Sequence, residues 1–291
     1  MVDEIQVDRS FKHQLKIIRW KARRKRVTWE WGAKEISGTP AVLGNAMPKS
    51  GSHLIIQILQ GLTQIGPFVN PGFPPVNRTE DNHKLAEATI LRKIEQMRAG
   101  DIGYGYIHAR EPFITALTKP GKAMVFVYRD PRDMLVSHVF YATDMHPGHG
   151  MHRYYTEVLT SMEERLTAAI QGVDEEGAEL SNVKERYLNY LGWLDILDVL
   201  CLRFEDLVLD QDTSIISILK FLEVRGARFQ VSYEAAAKAL RSSISPHKSG
   251  TFRKGKPGGW QEYFSAKNKE RFKEIAGDLL IQMGYEKDFN W

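Results

Sequence analysis

Residues 47–54 read Met-Pro-Lys-Ser-Gly-Ser-His-Leu, which sets a lysine, a glycine and two serine hydroxyls between an apolar run and an amphipathic stretch. Ala41 to Met47 has the length and apolarity of a buried strand, and Leu54, Ile55, Ile58, Leu59 and Leu62 recur at helical period. A loop from a strand into a helix aims backbone N–H groups and the positive end of the helix dipole at one point. Lys49 adds a full charge, so the loop is an anion cradle whose candidate contacts are Lys49, Ser50, Gly51, Ser52 and His53. The loop is not a Walker loop, because Pro48 stands before Lys49 where that pattern requires glycine.

Two further segments have anion chemistry. Ala123 to Tyr128 is six residues without a charge, the signature of a strand covered on both faces in a parallel sheet. Asp130 and Pro131 then mark a helix start as N-cap and first-turn residues. Arg129 is therefore expected at the carboxyl end of a central strand, the edge where open α/β sheets bind ligands, and Ser137 about two helical turns on can share its oxyanion. Between Ser242 and Gln261 there are His247, Lys248, Arg253, Lys254 and Lys256 but no acidic residue, together with four glycines and two prolines. That composition describes a basic flap able to wrap closely around a ligand, or a solvated basic loop.

These motifs together resemble the sulfotransferases that use 3′-phosphoadenosine 5′-phosphosulfate (PAPS). Pro48-Lys49-Ser50-Gly51 resembles their 5′-phosphosulfate loop, commonly PKSGTTW, with Ser52 in place of the first threonine and His53 and Leu54 departing from it. The resemblance implies that Arg129 and Ser137, eight positions apart, hold the 3′-phosphate. It implies the same for Arg253 and the Gly255 backbone, with Lys254 between them, in a segment running on to Gly259-Trp260. Phe204-Glu205-Asp206 resembles the family's Tyr-Glu-Asp, which would put the Phe204 ring by the adenine; closing a strand end is its ordinary alternative. The family's base-stacking tryptophan is replaced by Leu54.

His108 ends the short run Gly103 to His108, read as a strand, and lies 21 positions before Arg129. The resemblance makes it the catalytic base, and a histidine with its ordinary pKa near 6.5 is suited to take a proton from a hydroxyl. Tyr106 stands where the family often has a lysine. The implied reaction is in-line transfer of a sulfuryl group from PAPS to a hydroxyl acceptor, with Lys49 balancing charge on the leaving phosphate oxygen and no metal required.

The rest of the chain bounds this reading. With 291 residues and no linker or repeat, it is expected to be a single α/β domain with a central parallel sheet, helices on both faces and a P-loop-like phosphosulfate loop. Helical patterns run from Leu85 to Met97 and from Tyr154 to Ile170, and Val199 to Phe204 reads as a strand. The single cysteine, Cys201, reads as a packed strand residue. No apolar leader or membrane-length run is visible, so a cytoplasmic location is expected. From Arg9 to Arg26 there are nine Lys/Arg and no Asp/Glu, leaving 31 basic against 36 acidic residues elsewhere.

Phe11, Leu15 and Ile18 share a face of that basic segment, so residues 1–35 are read as an amphipathic helical segment ahead of a domain over 36–291. It either packs on the domain with a solvated basic face or docks an acidic carrier protein or anionic surface. Nucleic acid is not expected, since aromatic residues do not interleave a basic stripe.

Loops over residues 66–83 and 142–153, with Phe68, Phe73, Phe113 and Tyr141, are expected to enclose the acceptor. His146, His149 and His152 recur every three residues, but Pro147, Gly148 and Gly150 prevent the helix that would align them on a metal. Two other function classes stand beside this one. A P-loop kinase would need a magnesium-binding acid at an apolar strand end, where Val199 to Asp206 is interrupted by Arg203. A non-enzymatic adapter would dock through its basic helix.

Overall fold

Among the described residues six strands form in chain order: β1 (Ala41–Ala46), β2 (Ile102–Gly105), β3 (Lys122–Tyr128), β4 (Val173–Glu175), β5 (Ala178–Leu180) and β6 (Val199–Arg203). The longest are the predominantly apolar runs, β1 and β3, and both are buried along nearly their whole length. The computed structural model describes residues 11–245, 247 and 255–291.

Four strands make one sheet in the order β2-β1-β3-β6, every pair parallel, while β4 and β5 form a separate antiparallel hairpin. Parallel pairing needs a crossover between strands, and the helices supply it. Because all four strands point the same way, Ala46, Gly105, Tyr128 and Arg203 end along one edge. The fold is an α/β domain with a central parallel sheet flanked by helices.

The helices are α1 (Phe11–Trp31), α2 (Ala33–Gly38), α3 (Ser52–Gly61), α4 (Glu87–Glu95), α5 (Phe113–Thr118) and α6 (Pro131–Phe140), followed by α7 (Met162–Gln171), α8 (Val183–Leu191), α9 (Phe204–Leu209), α10 (Gln211–Val224), α11 (Tyr233–Ser242) and α12 (Ala266–Gln282). Two units divide the contacts: one comprises Met1–Tyr128 and Gly192–Pro246, the other Arg129–Leu191 and His247–Trp291.

In the first unit, Ile55, Ile58 and Leu59 of α3 pack with Val42 and Ala46 of β1, Val125 and Val127 of β3, and Ile215, Ile218, Leu219 and Leu222 of α10. Burying such side chains stabilises the fold by about 1.5–3 kcal/mol each. Gly44 lets α3 lie close on β1, since a Cβ there would sit 2.9 Å from Leu59 Cδ1.

The basic helix α1 buries no residue, yet one side of it is docked on this unit. Trp20 Nε1 donates to Asp101 Oδ1 at 2.9 Å, and Arg24 Nη1 donates to the same atom at 3.1 Å and to the Ala99 carbonyl at 2.9 Å. Phe73, expected over the acceptor, instead faces this helix, with its ring 5.6 Å from His13 and 6.0 Å from Trp20. The expected division between residues 35 and 36 falls inside α2, whose Ile36 is buried.

In the second unit, the helix expected from Tyr154 to Ile170 is broken. A π-helical turn covers Tyr154–Val158, and α7 starts afresh because Ser161 and Glu164 form a capping box. The strand expected to reach Phe204 stops at Arg203, and Phe204 opens α9 with its side chain buried. Cys201 sits in β6, and burial pushes its thiol up to about 12, which suits a packing role.

Candidate active site

The loop after β1 is shaped by two residues in left-handed conformation, Lys49 at φ 66° and Gly51 at φ 92°. Ser50 N donates to the Met47 carbonyl at 3.2 Å, closing a turn, and α3 begins with Leu54 N and Ile55 N both donating to the Gly51 carbonyl. The N–H groups of Gly51, Ser52 and His53 have no acceptor among the described residues, as the first turn of a helix dictates. Ser50 Oγ is buried and likewise has no partner among them. The residues therefore fit an anionic phosphate or sulfate group: three aligned donors, the helix dipole and the Lys49 charge. Partial burial, then the Lys49 charge, holds the His53 pKa below the usual imidazole value.

Phe204 closes this loop from behind. A Cβ built on Gly51 would lie 2.4 Å from Phe204 Cδ2, so the loop and the Phe204 ring are in direct contact. Gly51→Ala is accordingly expected to cost about 1–3 kcal/mol from backbone strain alone. Displacing the ring adds to that. A lowered melting temperature together with weakened nucleotide binding is the expected pair of readouts; a variant as stable as the parent would mean that the loop relaxes freely.

His108 lies three residues beyond the end of β2, not on the strand itself. Its segment is nonetheless held firmly. Asn45, fully buried in β1, accepts from Ile107 N at 2.8 Å and donates to the Ile107 carbonyl at 2.9 Å, and Trp193 Nε1 donates to that same carbonyl at 2.8 Å. Asn77 brackets Tyr106 in the same way, donating to its carbonyl at 3.2 Å and accepting from its N–H at 3.3 Å. Tyr106 Oη donates to Ser52 Oγ at 3.2 Å, which ties the His108 segment to the first turn of α3.

His108 is half-buried, and burial, then the Arg110 and Lys84 charges, lowers its pKa. The neutral imidazole is thus the form present at neutral pH. Asn45, Asn77 and Trp193 were not singled out from the sequence; a buried-strand asparagine among Val42, Leu43 and Ala46 was the available signal, because a buried amide must find partners.

In the second unit, Asp130 accepts from Arg132 N at 2.8 Å and Pro131 opens α6, as the sequence indicates. Arg129 is held at both ends: its carbonyl accepts from Tyr187 Oη at 3.1 Å, and its Nη2 lies 3.7 Å from Asp133 Oδ2. Asp133 also accepts from Gly258 N at 2.7 Å and Trp260 N at 2.8 Å, tying the end of the glycine-rich segment to the Arg129 helix. Burial, opposed by Arg129, keeps the Asp133 pKa above the usual carboxylate value. Ser137 is half-buried one turn after Asp133 on the same face of α6. Gly255 is left-handed at φ 61°. Arg253 and Lys254 lie outside the described residues.

Of the aromatic residues expected around the acceptor, those of the first unit are placed otherwise. Phe68 is fully buried and stacks on Phe229 at 6.2 Å, and Phe113 is buried too, so both serve the core. Tyr141 is the exception, half-buried between the rings of His146 at 5.4 Å and His149 at 5.7 Å. Among the described residues no group of three or more His, Cys, Asp or Glu is arranged to hold a metal ion. No described helix is long and apolar enough to cross a membrane.

Comparison with solved structures gives the same fold. The mouse sulfotransferase SULT7A1 complexed with PAP aligns with a TM-score of 0.59 at 16% identity, over 85% of this chain and 88% of that one. Retinol dehydratase in complex with androsterone and inactive cofactor PAP aligns with a TM-score of 0.54 at 15% identity, over 84% and 83%. The same enzyme complexed with retinol and PAP aligns with a TM-score of 0.55 at 15% identity, over 84% of each chain. At such identities the likeness establishes fold, and the sequence supplies the rest: the family model of the sulfotransferase domain matches residues 40–284, and this chain belongs to that family.

Proposed function

We propose that this protein is a PAPS-dependent sulfotransferase acting on a hydroxyl acceptor. The observation that carries the reading is the loop from Met47 to Leu54, where left-handed Lys49 and Gly51 leave three consecutive N–H groups without an acceptor among the described residues at the start of α3. When bound, the nucleotide would supply the sulfuryl group. Lys49, with the N–H groups of Gly51, Ser52 and His53, receives the 5′-phosphosulfate end and balances charge growing on the leaving phosphate oxygen. Arg129, Ser137, Arg253 and the Gly255 backbone take the 3′-phosphate, with Lys254 beside them on the nucleotide. Phe204 braces the loop from behind; its contact with Gly51 makes this role the better supported one, ahead of an adenine contact.

His108 removes the acceptor hydroxyl proton. Its lowered pKa favours that role, because the base must be unprotonated before it acts. Titration with PAPS, PAP and ATP, followed by a transfer assay over a panel of alcohols and phenols, tests the whole reading. Preference for the 3′-phosphorylated nucleotides and sulfation of a hydroxyl are expected; equal affinity for ATP, or phosphate transfer, would point to a kinase.

Arg129 offers a sharper test. Arg129→Ala should weaken PAP binding by about 1.5–3 kcal/mol, the worth of a charge-assisted hydrogen bond, and barely change binding of adenosine 5′-phosphosulfate, which lacks the 3′-phosphate. Equal losses for both ligands would assign Arg129 to another part of the nucleotide.

A further inference from the structure

The outward side of α1 carries a stripe that the fold does not use. Phe11, Leu15, Ile18, Ala22 and Trp29 advance by four, three, four and seven residues, the spacing of one helical face. Phe11 is 78% exposed, Ile18 63% and Trp29 89%. The opposite face is the one held to the domain through Trp20 and Arg24. Exposed large apolar side chains in a row are unfavourable in water unless something covers them.

Charge says what covers them. Lys12, Arg19 and Arg26, seven apart, run along one side of the stripe, and Lys21 and Lys25 run along the other. No acidic residue occurs between Arg9 and Arg26, and Lys21 and Lys25 have no carboxylate partner among the described residues. Beside Trp29 an open groove of about 460 Å³ is lined by Lys21, Arg24, Lys25, Thr28, Trp29 and Arg98. Arg24 is already engaged with Asp101 and the Arg98 guanidinium lies 4.9 Å over the Trp20 ring, so Lys21 and Lys25 supply the groove's outward charge. A soluble polyanion would pair the cations and leave Phe11, Ile18 and Trp29 wet. A plane of anionic headgroups over acyl chains matches both features at once.

We propose that α1 is an interfacial anchor that lays its outward face on an anionic lipid bilayer, with Phe11, Ile18 and Trp29 entering the headgroup and acyl boundary and the flanking Lys and Arg contacting lipid phosphates. The inference is independent of the transferase reading. It concerns a helix docked by its other face, so binding requires no unfolding of the contacts at Asp101.

Cosedimentation of the full chain with lipid vesicles tests it. Vesicles of phosphatidylcholine with about 30% phosphatidylserine should bind the protein at low salt, pure phosphatidylcholine should not, and roughly 0.5 M NaCl should release it. The double variant Ile18→Asp, Trp29→Ala should lower partitioning by about tenfold or more. Lys21→Glu with Lys25→Glu should do the same by a separate route. All four side chains are exposed, so melting temperatures should hold, and either variant pair alone suffices if the other misfolds. Absence of binding to the anionic vesicles would overturn the proposal. So would vesicle binding unchanged by Ile18→Asp and Trp29→Ala, or binding of soluble poly-glutamate that matches vesicle binding and survives that pair, which would identify an acidic partner instead.

Discussion

Replacing His108 by alanine is expected to lower turnover on the order of 10²-fold or more while leaving nucleotide affinity nearly unchanged, because the base acts on the acceptor proton and not on the nucleotide. The segment that carries it is held through the backbone of Ile107 and Tyr106, so the variant should fold. The pH profile provides a second readout. Burial, then Arg110 and Lys84, depresses the His108 pKa below 6.5, so the parent should hold full activity through neutral pH and lose it only as the pH falls through that lowered value. In the variant this acid limb should vanish. Near-normal turnover with an unchanged profile would remove His108 from the chemistry.

Lys49→Ala should be comparably damaging, by about 10²–10³ in turnover, since in the proposed mechanism it deletes the cation that balances charge developing on the leaving oxygen. Unlike the histidine variant, it should also weaken binding of the nucleotide, because the ammonium acts on the ground-state anion as well. Lys49→Arg is expected to recover binding more than turnover: the charge returns, but a planar guanidinium on a residue at φ 66° does not reproduce the position of an ammonium. A lysine variant that binds weakly yet turns over normally at saturation would limit Lys49 to binding.

Asp101 shows how the docking of α1 combines with burial. Its carboxylate accepts from Trp20 Nε1, Arg24 Nη1 and Arg98 N, and still burial dominates and keeps its pKa above the usual carboxylate value. The helix is therefore tied to the domain through a buried carboxylate with three donors, which leaves the stripe of Phe11, Ile18 and Trp29 exposed.

Local order in the chain was enough to read the strand, loop and helix around Lys49, because apolar periodicity and turn chemistry act over a few residues. The Asp130 and Pro131 helix start followed from the same rules, and so did β1 and β3 to within a residue or two. The motifs at Lys49, Arg129 and His108 were legible as types and spacings, and with them the family. Sequence alone could not say how the His108 segment is held. Asn45 reaches across 62 positions to Ile107, and Trp193 across 86, and no local pattern encodes which buried donor will meet which carbonyl.

Fine boundaries failed for the same reason. Phe204 has the apolar character of a strand residue, but the contact of its ring with Gly51 and the turn into α9 put it in a helix. Phe68, Phe73 and Phe113 look like pocket residues by composition, yet two are core and one meets α1, since an aromatic side chain takes whichever apolar surface the fold brings near it. What the sequence determined by itself was the strand, loop and helix around Lys49, the helix start at Asp130 and the basic helix, features set by short-range chemistry. Which face of that helix is spent on the domain and which stays exposed was decided only in three dimensions, because burial is a property of long-range packing.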